Sequence, residues 1–302
     1  MLKNLLIVLI GKKIQKSPSP AMHNAGFHSL SLPFQYKAFS IPDQDFEREF
    51  QKLKKTAYGF NITIPYKEKV IPFLDRLTKK AEQLWAVNTI FFENGTSIGE
   101  NTDMDGFKQA LKELYFTEDS GFLSSSNFSS IERTAFIFGA GGAAKASAAG
   151  LMEMGIHQFV IWSRTEERIS HFSSWLNQQN SRKKEKQGEK NFDAEYMTAE
   201  VSKNTFQSAI MECDIIVNAA PLAAIKDLHW FPEIKLKKKS VVADWVYSPI
   251  KTPWLEKAES NKGKIIEGYK ILLYQGMKAF ELWTGEKAPE QVMKKSLLKA
   301  LL

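Results

Sequence analysis

A chain of 302 residues is long enough for two domains with complete cores, and 43% hydrophobic with 25% charged residues is ordinary for a soluble globular protein. Much of the net charge of +7 lies in two lysine-rich runs, 182–190 and 235–239, of which the first lacks apolar periodicity and interleaved aromatic residues, so a solvated loop is favoured over a nucleic-acid surface. A single cysteine, Cys213, excludes an intrachain disulfide. No run approaches the roughly 18 to 20 apolar residues of a membrane span. We therefore expect a cytoplasmic protein that binds neither membrane nor nucleic acid.

The first predicted element is a buried strand at residues 4–10. Every residue after Asn4 is apolar, as expected for a strand covered on both faces of a parallel sheet. The same run could be the core of a signal peptide, but it is short, lacks a small-residue cleavage site and continues into Gly11-Lys12-Lys13. A buried strand is therefore the better interpretation.

Beyond this strand, short apolar runs alternate with amphipathic helical patterns along the chain. Further strands are predicted at residues 34–41, 59–64, 86–93, 96–99, 135–138, 159–162, 194–197, 215–218 and 240–246, and Ile265 and Ile266 lead to Gly268. Helices are predicted at residues 21–30, 43–55, 105–114, 202–213, 269–283 and 289–301, with two more after the glycine turn at 139–144 and from Thr252-Pro253. A serine- and glycine-rich connector is expected at 115–131. The alternation predicts an α/β protein with parallel sheets in both halves.

Two serines follow the first predicted strand. Ser17 and Ser19 stand in a loop that Pro18 and Pro20 make rigid, at the end of the strand where an open α/β sheet binds ligands. They would either bind a ligand or support the turn. The residues of this loop alone favour neither interpretation.

Further polar residues follow the next strands. The pair Asn94-Gly95 predicts a tight hairpin between the strands at 86–93 and 96–99. We expect Asn61, Thr63 and Lys67 to converge at one strand end, and the two hairpin strands bring in Asn88 and then Asn101-Thr102-Asp103. The five histidines show no spacing typical of metal ligands, so no metal site is expected.

A dinucleotide site is predicted in the second half of the chain. The strand at 135–138 leads into Gly139-Ala140-Gly141-Gly142-Ala143-Ala144, then a small-residue helix and a second strand. Gly139 would permit the tight turn, Gly141 the approach of a pyrophosphate, and Ala144 the close packing of helix on sheet. An incidental glycine turn is the alternative, which the flanking strands make less favoured.

The end of the second strand indicates NADP. An NAD site usually carries an acidic residue there, whereas this chain has Ser163-Arg164-Thr165 and then Arg168. Guanidinium groups suit a 2′-phosphate because they form paired, charge-assisted hydrogen bonds with its oxygens. Glu166 and Glu167 leave open the alternative that these charges form a solvated first helical turn.

These residues fall into short motifs that span nearly the whole chain. They are Gly11-x-x-Ile14-x-x-Ser17-x-Ser19-Pro20-x-x-His23-Asn24, Asn61-x-Thr63-x-Pro65-x-Lys67, Ala86-Val87-Asn88-Thr89, Asn101-Thr102-Asp103-x-x-Gly106, the turn at 139–144, Tyr247-x-Pro249 and Gly268-x-x-x-Leu272-x-x-Gln275. Each motif is modest alone. Jointly and in this order they resemble the shikimate dehydrogenase family.

That resemblance implies NADPH-dependent reduction of 3-dehydroshikimate to shikimate, and the reverse reaction. It implies a substrate-binding and catalytic domain at 1–110, completed by 269–302, and a Rossmann-like NADP-binding domain at 132–268. The first domain would contain a mixed, mostly parallel sheet. The C-terminal helices would pack back on it.

The resemblance also implies roles for individual residues. Lys67 and Asp103 would be the catalytic pair, because hydride transfer to a carbonyl leaves an alkoxide that must be stabilised and protonated. The substrate carboxylate would be bound by Ser17, Ser19 and Tyr247, and the ring hydroxyls by Asn61, Thr63, Asn88, Asp103 and Gln275. NADP would be held by the turn at 139–144 and by Ser163, Arg164, Thr165 and Arg168. Its nicotinamide end would be lined by Asn218, Ala219, Leu222 and Gly268.

Departures from the family pattern keep alternatives open. Lys13 and Lys16 stand where the family has proline and histidine, and Ser163 where asparagine is common. These changes would suit an enzyme that also oxidises quinate or accepts NAD. Outside enzymes, the alternative is a dinucleotide-binding sensor that has lost catalysis, against which Lys67 and Asp103 argue. A monomer and a homodimer are both compatible with the sequence.

Overall fold

The computed structural model describes residues 5–116, 133–184, 191–198, 200–226 and 228–302. The chain divides into two compact units. The first unit comprises the residues up to Gly106 together with Leu273–Leu302, and the second comprises Phe107–Leu272. The predicted connector lies outside the described residues from residue 117 onward.

The described part of the first unit contains one mixed, six-stranded sheet. Its strands are β1 (Leu5–Gly11), β2 (Phe34–Ser40), β3 (Gly59–Ile62), β4 (Arg76–Leu77), β5 (Thr89–Glu93) and β6 (Thr96–Glu100). They are arranged in the order β2-β1-β3-β5-β6-β4. The central strand β1 is parallel to both β2 and β3, and β5 is antiparallel to β3 and β6. Residues 7–10 of β1 are buried, as their unbroken apolar run predicts.

The hairpin between β5 and β6 is confirmed. Asn94 and Gly95 have φ angles of 52° and 81°, the left-handed conformations of a type I′ turn, which Asn-Gly pairs favour. Because the strands are antiparallel, the residue before β5 lies beside the end of β6, and the Asn88 N–H donates to the Glu100 carbonyl at 3.1 Å. The hairpin therefore brings Asn88 close to the residues that follow β6.

In the described part of the second unit, six parallel strands form a second sheet. They are β7 (Thr134–Phe138), β8 (Gln158–Trp162), β9 (Asp193–Met197), β10 (Ile215–Asn218), β11 (Val241–Asp244) and β12 (Lys264–Ile266). Their order is β12-β11-β10-β7-β8-β9. The strand order reverses between β7 and β10, and such a switch point is where open parallel sheets bind dinucleotides.

The described helices cover these sheets. In chain order they are α1 (Ser19–Ser29), α2 (Phe46–Lys54), α3 (Lys79–Leu84), α4 (Asp103–Phe116), α5 (Gly142–Glu153), α6 (Glu166–Lys184), α7 (Lys203–Met211), α8 (Ala223–Lys226), α9 (Pro253–Ser260), α10 (Gly268–Thr284) and α11 (Glu290–Leu301). Side-chain caps fix several starts; the Thr252 hydroxyl, for example, accepts from the Leu255 N–H at the start of α9.

The C-terminal helices pack on the first unit, as the resemblance implies. Ser296 Oγ in α11 donates to the Ala21 carbonyl of α1 at 2.9 Å, and Trp283 Nε1 in α10 donates to the Ile90 carbonyl of β5 at 3.0 Å. Gly59 makes this approach possible, because a Cβ there would lie 2.5 Å from the Trp283 ring. Segments far apart in sequence therefore complete one core.

Some local predictions are wrong. Residues 182–184, predicted as part of a solvated loop, belong to α6. The Asn180 amide pairs with both backbone groups of Phe192 at 2.8 Å and fixes that end of the helix. Neither α3 nor the two-residue β4 was predicted, because both are too short to show a periodic pattern.

No helix within the described ranges combines the length and apolar character needed to cross a membrane. Among the same residues, no group of three or more His, Cys, Asp or Glu side chains is placed to hold a metal ion.

Candidate active site

Lys67 and Asp103 form an ion pair in the first unit. Asp103 is the first residue of α4, Lys67 lies in the turn after β3, and the Lys67 ammonium donates directly to Asp103 Oδ2. Their side chains are 18% and 7% exposed, so water screens the pair poorly. A lysine held in this way can give positive charge and a proton to a nearby oxygen, as reduction of a carbonyl requires.

Asn88 holds the other oxygen of that carboxylate. Its Nδ2 donates to Asp103 Oδ1 at 2.8 Å. Its Oδ1 accepts from the Thr102 N–H at 2.8 Å and from the Thr89 hydroxyl at 3.1 Å, which sets the amide orientation because only the oxygen end can face these donors. Gln275 of α10 joins the cluster with its Oε1 3.3 Å from Asn88 Nδ2. Predicted site residues from distant parts of the sequence therefore meet.

Asn61 on β3 belongs to the same network and contacts Tyr36 on β2. The Tyr36 hydroxyl donates to Asn61 Oδ1 at 2.7 Å. Asn61 Nδ2 donates to the Asn88 carbonyl and to Thr89 Oγ1, each at 3.0 Å. Sequence reasoning missed Tyr36, because a tyrosine within a strand carries no motif that shows where its hydroxyl points.

The predicted carboxylate-binding serines follow β1, with Ser17 in the loop and Ser19 as the first residue of α1. Thr63 directly follows the parallel strand β3, and its N–H donates to the Ile10 carbonyl of β1 at 2.9 Å. Ser19 is buried, and its N–H donates to Ser17 Oγ at 3.3 Å. The Ser17 oxygen thus supports the turn, while its own proton can still be donated. At Gly11 a side chain has no room, because a Cβ would come within 2.5 Å of Thr63 Cγ2.

The glycine turn joins β7 to α5 in the second unit. Gly139 has a φ of 122°, and a Cβ there would lie 3.0 Å from the Ala219 carbonyl, so both conformation and space require glycine. A Cβ on Gly141 would meet no described atom within 4 Å. Among the described residues no side chain caps α5, which leaves its first N–H groups for an anion. The turn therefore fits the pyrophosphate of a dinucleotide.

The residues expected to contact a 2′-phosphate lie where β8 ends and α6 begins. Ser163 is buried there, whereas Arg164, Thr165 and Arg168 are exposed. The first turn of α6 also carries two glutamates. The exposed guanidinium groups fit an added phosphate, and the buried serine contributes less accessible surface.

Asp244, which sequence reasoning missed, joins the loops after β10 and β11. Its carboxylate accepts from Asn218 Nδ2 at 2.7 Å, from the Val246 N–H at 2.9 Å and from the Thr252 hydroxyl at 2.5 Å. Burial raises the pKa of Asp244 to about 6, because the charged form loses its hydration. Asn218, expected at the nicotinamide end, is thus held by a buried acid. The signal in the sequence that could have indicated Asp244 was an acidic residue at the end of an apolar strand.

The remaining predicted residues of the second unit surround this loop or its core. Gly268 lies so close to the backbone of Val246 that a Cβ on Gly268 would be 2.4 Å from the Val246 carbonyl oxygen. Leu222 packs partly buried against the core. Tyr247 is half-buried, and burial raises the pKa of its phenol. Close backbone packing therefore shapes the carboxyl edge of this sheet.

The doubly wound sheet with its open glycine turn, and the lysine–carboxylate pair, define a dinucleotide-dependent oxidoreductase. Comparison with known protein families narrows this class. The shikimate dehydrogenase substrate binding domain matches residues 9–90, and the shikimate 5′-dehydrogenase C-terminal domain matches residues 268–298. Residues 133–245 match the coenzyme F420-dependent NADP oxidoreductase family.

Individual relatives can be aligned with this chain over nearly its full length. The shikimate dehydrogenase (NADP(+)) of Methanopyrus kandleri is 34% identical over 98% of this chain and 96% of its own. Shikimate 5-dehydrogenase from Listeria monocytogenes, solved with shikimate and NAD, has a TM-score of 0.79 at 28% identity, covering 98% of this chain and 96% of that one. The Thermus thermophilus enzyme, solved with NADP(H) and shikimate, has a TM-score of 0.75 at 26% identity, covering 98% and 100%. The chain belongs to the shikimate dehydrogenase family, which confirms the resemblance seen in its motifs.

Proposed function

We propose that this protein catalyses the reversible, NADP-dependent reduction of 3-dehydroshikimate to shikimate. The observation that carries the proposal is the largely buried Lys67–Asp103 pair, held by Asn88, in a chain whose relatives are named shikimate dehydrogenase (NADP(+)). The first unit binds the substrate and the second binds NADP, in keeping with the domains that the motifs predict.

Proton transfer is the part of the reaction that falls to the chain itself. NADP⁺, when bound, supplies the hydride acceptor for oxidation. In the oxidation direction the neutral Lys67 amine receives the proton that the substrate hydroxyl loses and becomes an ammonium. In the reverse direction that ammonium stabilises and protonates the developing alkoxide and returns to the amine. Asp103 holds Lys67 in place, and Asn88 keeps the carboxylate from rotating.

Substrate recognition follows from the polar cluster. The hydroxyls of Ser17, Ser19 and Tyr247 bind the carboxylate. The ring hydroxyls are contacted by Asn61, Thr63, Asn88, Asp103 and Gln275. These roles are supported by the hydrogen bonds that join the side-chain amides of Asn61, Asn88 and Gln275 in one network with the Asp103 carboxylate. A substrate without the matching hydroxyls would leave buried polar groups of the site unpaired, so the site discriminates against it.

NADP binding follows from the open turn and the exposed arginines. The turn 139–144 would hold the pyrophosphate of NADP, and its 2′-phosphate would be held by Ser163, Arg164, Thr165 and Arg168. The nicotinamide end would be lined by Asn218, Ala219, Leu222 and Gly268. The open space over Gly141 supports the first of these placements.

Replacing Arg164 by glutamine is expected to lower kcat/KM for NADP by about 10- to 100-fold, because a guanidinium–phosphate pair contributes roughly 1.5 to 3 kcal/mol. The kcat/KM for NAD should change by no more than about threefold, since NAD lacks that phosphate. Steady-state kinetics with both cofactors provide the measurement, with Arg182→Gln, an exposed arginine near the other end of α6, as control. An unchanged kcat/KM with both cofactors would restore the solvated-turn interpretation, and equal losses with both would show that Arg164 does not act through the 2′-phosphate.

The proposed function predicts that shikimate with NADP is the preferred pair. The test is steady-state oxidation of shikimate and of quinate, each with NADP and with NAD. If quinate or NAD gives the higher kcat/KM, the protein still belongs to the family, but the proposed preference for shikimate and NADP is wrong. Tight NADP binding without turnover of any pair would leave the sensor alternative.

Two expectations stay predictions. Location in the cytoplasm is predicted from the presence of a single cysteine. The thiol of this cysteine is buried, and burial raises its pKa to about 12, so it is a poor nucleophile. A monomer and a homodimer are both compatible with the sequence.

A further inference from the structure

A continuous hydrogen-bond chain leads from Tyr36 to the catalytic pair. The Tyr36 hydroxyl donates to Asn61 Oδ1, and Asn61 Nδ2 donates to the Asn88 carbonyl and Thr89 Oγ1. The Thr89 hydroxyl donates to Asn88 Oδ1, and Asn88 Nδ2 donates to Asp103 Oδ1. Each link lies between 2.7 and 3.1 Å, within the range of good hydrogen bonds.

Packing holds the Tyr36 hydroxyl at the start of this chain. Tyr36 is 2% exposed, and its ring stacks on His23 at 4.5 Å with an interplanar angle of 9°. Burial raises the pKa of Tyr36 well above its ordinary value, so the phenol stays protonated and remains a donor.

The donor determines how Asn61 is oriented. An amide can turn over and exchange its oxygen and nitrogen ends at little steric cost, so its orientation depends on which partners face it. A phenol that donates to one end leaves the NH₂ end for the Asn88 carbonyl and Thr89. Without that donor, the buried Asn61 oxygen is unsatisfied, and the amide gains by turning or shifting.

We propose that Tyr36 is a positioning residue for the reaction, whose hydroxyl orients Asn61 and, through Thr89 and Asn88, holds the Asp103 carboxylate against Lys67. This role rests on the proposed function. Small displacements of a catalytic group slow the chemical step more than they weaken substrate binding. The effect of losing the hydroxyl therefore falls on kcat.

The test compares Tyr36→Phe with Tyr66→Phe. Tyr66 is also fully buried in the first unit, and although it precedes Lys67 in the chain, its hydroxyl leads away from the pair to the Ile41 carbonyl at 2.5 Å. Each variant loses one buried hydroxyl, so their urea midpoints should fall by similar amounts. We expect kcat to fall about tenfold in Tyr36→Phe, with KM within about threefold, and kcat to change less than about twofold in Tyr66→Phe.

A double-mutant cycle with Asn61→Ala separates positioning from general loss of structure. If Tyr36 acts through Asn61, the double variant loses no more kcat than Asn61→Ala alone; fully additive losses would overturn the role. Thr89→Val, which removes the next link, should lower kcat in the same way and keeps the test possible should Tyr36→Phe not fold.

The wild-type rate distinguishes this role from the proposed function. Turnover of shikimate by the wild type, with equal kcat in both tyrosine variants, overturns the Tyr36 role alone. Absence of wild-type turnover overturns the proposed function, and the Tyr36 role falls with it.

Discussion

Replacing Lys67 by methionine is expected to lower kcat for shikimate oxidation by about 10³-fold or more, with little change in KM. Methionine keeps the length and apolar stem of lysine but has neither the charge nor the proton that the alkoxide requires. Asp103→Asn should lower kcat by about 10²-fold, because asparagine keeps the shape of the side chain but not its charge. Formation of NADPH at saturating substrate provides the measurement.

Lys80→Met is the matched control for this prediction. Lys80 pairs with Asp105, which stands in the first turn of the same helix as Asp103, and its side chain is 25% exposed. Its kcat should stay within about twofold of wild type, because that pair orients no predicted substrate group. The double variant Lys67→Met/Asp103→Asn should be no slower than Lys67→Met, since the two residues act as a unit. A comparable loss in Lys80→Met would contradict the assignment.

Substituting His23 by phenylalanine is expected to make the protein less sensitive to acid. His23 is fully buried, its ring nitrogens have no hydrogen-bond partner among the described residues, and burial lowers its pKa to about 3. Because the folded-state pKa of His23 lies below the unfolded value near 6.5, its contribution to the free energy of unfolding is fully present above about pH 6.5. It is lost as the pH falls towards 3, where the loss is on the order of 4 kcal/mol.

Urea unfolding between pH 7 and pH 4 tests this, with the free energy of unfolding as the measured quantity. Phenylalanine keeps an aromatic ring against Tyr36 and Trp283, so the variant can fold. Its free energy of unfolding should fall less steeply with acid than that of wild type. His28→Gln, at an exposed position on the same helix, should follow the wild-type slope. Parallel slopes for wild type and His23→Phe would show that His23 is not the titrating group.

Local patterns were sufficient to predict the glycine turn and the elements around it. The glycine turn, its two flanking strands and the helix between them lie within a short stretch, and the conformation of Gly139 depends on its immediate neighbours. The Asn94-Gly95 hairpin was equally local. The end of α6 was not, because the hydrogen bonds that fix it join Asn180 to Phe192, 12 residues further along the chain.

The substrate site depended more on long-range contacts. Lys67 and Asp103 were predicted from motifs, but their mutual contact and its support by Asn88 arise because β3 pairs with β5 and the hairpin returns the chain beside Asn88. Gln275 was expected through the family resemblance and reaches the cluster because α10 packs against the first sheet. Tyr36 and Asp244 had no predicted role, since only folding shows which hydroxyl and which carboxylate are buried among partners.

By itself, the sequence determined the α/β class, the glycine turn between β7 and α5, the shikimate dehydrogenase family and the residues proposed for the chemistry. These follow from periodicity and from motifs whose members are close in the chain. The tertiary structure alone decided which polar groups share hydrogen bonds, how the Asn61 and Asn88 amides are oriented, and why His23 is held neutral. Such properties depend on burial and on contacts between distant segments, which leave no periodic trace in a sequence.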